Sequence, residues 1–126
     1  MLAVKEAKQL IENAGFDWLT AVYAYNVPKE ELDNTDKTVV LVRDVNTRTD
    51  LEGNDFFFGT IREVEVQIFY KLSLDDPEMN DLALMQAFKK EHWDITEVRG
   101  HTVDPDTLQL TGTFYFTQTK GSILNG

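Results

Sequence analysis

The sequence predicts an α+β domain: a mainly antiparallel β-sheet with two α-helices packed on one face, in the order α-β-β-β-α-β-β. Three observations carry this. Apolar residues recur at three- and four-residue intervals near the N-terminus. A long segment after residue 59 alternates with a period of two. A proline-bearing turn then joins two further strands at the C-terminal side.

The first helix is expected over 2–13. Leu2, Val4, Ala7, Leu10, Ile11 and Ala14 form one apolar stripe, Lys5, Glu6, Lys8, Gln9 and Glu12 take the outer side, and Gly15 suits a left-handed C-cap. Residues 18–25 are aromatic and β-branched and read as a strand, which Pro28 and Lys29-Glu30-Glu31 end. Val39–Val42 is a short apolar run suited to a central strand. Residues 43–55 turn polar, and 46–55 reads as a long hairpin loop. Its far side is the alternating strand, where Val64, Val66, Ile68, Tyr70 and Leu72 face one way and Glu63, Glu65, Gln67, Phe69 and Lys71 the other.

The second helix has Asp75 or Asp76 as cap, Pro77 at its first position and Glu78 near the positive end of its dipole. Met79, Leu82, Ala83, Leu84, Met85, Ala87 and Phe88 make it apolar over most of its girth. Lys89, Lys90 and His92 are expected in its last turn. A strand over 94–103, a turn at Asp104-Pro105-Asp106-Thr107 and a strand over 108–119 complete the order. In the last strand Leu108, Leu110, Gly112, Phe114 and Phe116 are expected on one face, with Gln109, Thr111, Thr113, Tyr115 and Thr117 on the other.

The chain of 126 residues reads as a single domain, with 120–126 expected as a flexible tail. Scaling of surface with mass leaves about 7,000 Å² exposed of about 21,000 Å² unfolded, so a core forms without metal or disulfide staples. The chain has no cysteine, which excludes disulfides, thiolate ligands and a cysteine nucleophile. Neither a signal peptide nor an apolar run long enough to span a membrane is visible. Twelve basic against 22 acidic residues give a net charge of −10, which repels nucleic acid rather than gripping it.

Chemistry-bearing patterns are sparse. His92 and His101 lack the spacing of a metal pair, so no metal or cofactor is expected. Asp75-Asp76 suits a helix cap better than acid–base work, and Asp104 and Asp106 suit a turn better than a cation loop. Ser73 and Ser122 are the only serines, and no phosphate-loop or nucleophile-elbow motif occurs, so no enzyme is expected. Three features point instead to interaction: Phe56-Phe57-Phe58, the long loop before it, and the free edges of an antiparallel sheet. Consecutive strand residues point to opposite faces, so the three rings are either covered on both sides within the fold or buried against a neighbouring subunit.

With these elements in place the chain resembles tail-component proteins of long-tailed phages and prophages of Gram-positive bacteria, and among them the small tail terminator, or tail-completion, proteins. Val39–Asp44, Gly59–Leu72, the helix from Asp76 to Trp93, and Leu108–Lys120 with Gly112-Thr113-Phe114-Tyr115-Phe116 carry the likeness. It implies a structural virion protein, assembled in the bacterial host, that forms a ring, commonly a hexamer, on the head-proximal end of the tail tube. The partners implied are further copies of itself, the tube protein and a head-completion protein, with DNA passing through the hole unbound. Asp50, Glu52 and Asp55 are then candidates for lumen-facing acids, and Phe56, Phe57 and Phe58 for a subunit contact. Two other readings use the same residues. One is a head–tail connector or other minor tail protein. The other is a small α+β enzyme or ligand-binding domain with Trp18, Tyr23, Tyr25, Trp93 and His101 around a pocket.

Overall fold

The computed structural model describes residues 1–31, 35–50, 59–73 and 76–121, with backbone alone at 49, 50 and 121. The elements are α1 (Ala3–Ala14), β1 (Ala21–Ala24), a 3-10 turn (Lys29–Glu31), β2 (Val39–Asp50), β3 (Gly59–Phe69), α2 (Pro77–Lys90), β4 (Asp94–Val103) and β5 (Leu110–Gly121). The five strands form one sheet in the order β1-β2-β3-β5-β4. β1 runs parallel to β2, and every other neighbouring pair is antiparallel. This is the α+β architecture expected from the sequence.

Strand parity builds the core. Val40, Ile68 and Gly112 lie side by side across three strands, and Val42, Val66 and Phe114 form the next row. Val64 and Phe116 follow, and the inward residues of these rows carry almost no exposed surface. Val4, Ala7 and Ile11 of α1 and Leu84 and Phe88 of α2 close over this face in the same cluster. Phe88 stacks on Phe116 with ring centroids 3.9 Å apart. Burial of the Val, Ile, Leu and Phe side chains, each worth about 1.5–3 kcal/mol, is what holds helices to sheet.

The ends of α2 follow from its sequence. Asp76 Oδ1 accepts the Met79 backbone N–H at 3.3 Å, which identifies Asp76 as the cap. At the other end His92, expected in the last helical turn, lies beyond it at φ 69°. Its N–H reaches Lys89 O at 3.0 Å and the Trp93 N–H reaches Phe88 O at 2.9 Å. That is a Schellman closure, completed by edge-on contact between the Trp93 and Phe88 rings.

Four expectations are corrected. β2 does not stop at Val42: the polar residues after it, 46–50 of which are expected as loop, stay paired with β3 as far as Asp50↔Gly59. Those at 43–48 are exposed, and an uncovered strand has no apolar alternation to show. α2 is less buried than its composition suggests. Met79 and Leu82 are exposed, while Asn80 and Asp81 lie inside. β3 ends at Phe69, and Leu72 is exposed. β5 runs to Gly121 rather than 119, and at its start Leu108 sits in the turn at φ 64°, exposed, while Gln109 points inward and donates from its amide to Tyr70 O.

Candidate assembly surface

β1 is short, and its ladder with β2 ends at Ala24↔Val42. Among the described residues β2 is a sheet edge beyond that row. Residues 43–48 are all exposed, and an irregularity between Asp44 and Asn46 releases Val45 toward solvent. On the opposite side of the sheet β4 is the other edge, with all ten of its residues exposed. Ile95, Val98 and Val103 stand on it as exposed apolar side chains. Register breaks between Ile95 and Glu97 and between Arg99 and Thr102 leave Glu97–Arg99 as its regular stretch. Bulges and charges of this kind keep an edge from pairing indiscriminately.

The sheet face away from the helices carries a polar ladder. The Tyr115 hydroxyl donates to Glu65 Oε2 at 2.6 Å, the Arg99 guanidinium lies 4.9 Å from the Tyr115 ring centre, and Arg99 Nε donates to Glu97 Oε2 at 2.7 Å. The hydrogen bond to the Glu65 carboxylate pushes the Tyr115 phenol above its ordinary pKa. On β2, Arg43 lies opposite Glu65 and Arg48 opposite Ile61. Neither guanidinium makes an ion pair among the described residues.

Two polar clusters lie deeper. Arg62, at an inward position of β3, is 7% exposed. It pairs with Glu6, bonds Gln118 and the Met1 carbonyl, and stands over the Trp93 ring. Glu6 also accepts from Lys120 at 2.6 Å. Burial alone would raise the Glu6 carboxyl, but the hydrogen bonds from Lys120 and Arg62 outweigh it and hold the group below its ordinary value. In the second cluster His101 Nε2 lies 2.7 Å from Asp81 Oδ2, and the Tyr70 ring is beside the imidazole. Burial raises the Asp81 carboxyl, and His101 only partly offsets it. A groove of about 700 Å³ between α1 and α2 is lined by Leu10, Phe16, Ala83, Ala87 and polar side chains around them.

The sequence could not announce these clusters, because Arg62 and Glu6 are 56 residues apart and His101 and Asp81 are 20 apart. Parity offered one signal: Arg62 continues the inward series of Val64, Val66 and Ile68.

Of the residues singled out from the sequence, Asp50 is the last residue of β2, opposite Gly59. Glu52, Asp55, Phe56, Phe57 and Phe58 lie outside the described residues. The five pocket candidates are not gathered into one site. Trp93 is buried against Phe88, Trp18 stacks on Phe16, Tyr23 and Tyr25 belong to the β1 edge, and His101 pairs with Asp81. Among the described residues no group of three or more His, Asp or Glu side chains is placed to hold a metal ion.

Residues 2–120 match a family described as a protein of unknown function (DUF806). No curated protein matches the sequence.

Proposed function

The chain belongs to the DUF806 family, and from that premise we propose that it is a structural subunit of a phage or prophage tail, a tail terminator that forms a ring on the head-proximal end of the tail tube. One observation carries the reading furthest: among the described residues the sheet has a free edge on each of two opposite sides, β2 beyond Val42 and the whole of β4. A heterologous interface joins two different patches of one subunit and closes into a ring when the rotation allows. Free edges on opposite sides supply two such patches. The likeness of Val39–Asp44, Gly59–Leu72 and Leu108–Lys120 to tail-terminator segments supports the same assignment, and it takes the tube protein and a head-completion protein as partners.

A net charge of −10 agrees with a conduit through which DNA passes unbound. In this reading Asp50, Glu52 and Asp55 face the hole, and Phe56–Phe58 lie between subunits.

Light scattering over a concentration series, with negative-stain images and with tail tubes as bait, tests the proposal. Rings of about six copies, or retention on tubes, are the expected result. A monomer at every concentration that tubes also fail to retain would overturn it. Retention on capsids but not on tubes would identify a head–tail connector instead.

A further inference from the structure

The ring reading leaves open which surfaces meet, and the sheet edges answer that. We propose that copies of this chain join edge to edge, the free stretch of β2 beyond its irregularity pairing antiparallel with the regular stretch of β4 in the next copy. The inference rests on the ring reading and adds the contact itself. The occupant of each free edge is a second copy of this chain.

Strand direction comes first. β3 opposes β2, β5 opposes β3 and β4 opposes β5, so β4 and β2 run in opposite directions within one copy. A second copy set alongside by rotation about an axis inclined to the strands, which staggers neighbouring edges by the four rows between Thr119 and Tyr115 as strand tilt does in a barrel, brings its β2 to the first copy's β4 in antiparallel sense. The main-chain groups of the two edges then complete one another, as in strand addition to an exposed edge.

Charge and parity then fix a register. Arg48 has no carboxylate partner among the described residues, and Glu97, whose Oε2 accepts from Arg99, is an exposed carboxylate in the regular part of β4 with room for a second cation. Placing Arg48 opposite Glu97 puts Thr47 opposite Val98. The faces agree. Arg48 and Glu97 share rows with Ile61 and Tyr115 on the side away from the helices, whereas Thr47 and Val98 share rows with Arg62 and Phe114 on the helix side. The charged pair therefore lands on the polar ladder, and exposed Val98 gains a neighbour on the other face. The irregularities of β2 and β4 confine pairing to a window of about three to five residues. So short a contact is weak alone and is reinforced by ring closure or by a tube that holds the copies side by side.

The cysteine-free chain suits cross-linking. The face-matched double variants Thr47→Cys/Val98→Cys and Arg48→Cys/Glu97→Cys are oxidised at concentrations where light scattering finds assemblies, or on tail tubes, and run on non-reducing gels. The substituted residues are exposed, and circular dichroism verifies that each variant is folded. The expected result is a ladder of multimers ending at the ring size. The face-mismatched pair Thr47→Cys/Glu97→Cys should give at least tenfold less, and single-cysteine variants no species beyond a dimer. A ladder of equal strength from the mismatched pair would overturn the inference. So would rapid dimers of Thr47→Cys alone, the mark of β2 meeting β2. Rings in light scattering without any ladder would sink this interface and leave the ring reading standing. Absence of any assembly, alone or on tubes, would remove the ring reading and this contact with it.

Discussion

At Gly112 a single methyl group decides the packing. A Cβ there would stand 2.9 Å from the Tyr70 hydroxyl and 3.3 Å from the Phe114 ring, inside a filled core. Gly112→Ala should therefore cost about 1–3 kcal/mol, the usual range for overpacking, read as a lower urea midpoint with an unchanged slope. Glu6 acts through charge. Its carboxyl is held below its ordinary value, because Lys120 and Arg62 outweigh the effect of burial. A depressed carboxylate stabilises the fold above its unfolded pKa, and that stability is lost as pH falls through the folded pKa. Glu6→Gln also leaves the buried Arg62 guanidinium without its counter-charge. At neutral pH the variant should be less stable than the parent by about 1–3 kcal/mol, and the gap should close on acidification below about pH 4. Chemical unfolding of both proteins across pH reads this out. The glycine's inward position was legible from strand alternation. The ion pair was not, since nothing local ties position 6 to position 62.

Among the elements, α2 is the one whose limits the sequence states most directly. Asp76, Pro77 and Glu78 mark its start, and the structure uses Asp76 as the cap. Asp76→Ala should cost about 1 kcal/mol, seen as a melting temperature lower by a few degrees. The far end was less legible. A Schellman closure needs a residue at positive φ, and His92 takes it where glycine is usual, because the closing contact of Trp93 on Phe88 holds the turn. β2 shows the converse. Its first four residues are apolar because a layer covers them, and those at 43–48 are polar but for Val45 because none does. Hydrogen bonds to β3 keep the backbone extended whatever the side chains are, so composition reports covering and not conformation. A loop expected at 46–50 confuses the two.

For the molecule as a whole, the sequence by itself determined the class, the element order and the inward faces of α1 and of the central strands. Periods of 3.6 and 2 are local, and each apolar stripe must find a partner layer. It also determined the charge, −10, which shapes encounters with any polyanion. Strand order was decided only in the tertiary structure. That β5 lies between β3 and β4, and that short β1 runs parallel to β2 and abandons it at Val42, depends on pairings between distant segments. The same pairings seat Arg62 beneath Glu6 and bring Asp81 to His101. They also decide which main-chain groups are left unpaired, and so where another copy can add. A free edge is defined by the missing neighbour, and a neighbour in space is not written in the residues beside it in the chain.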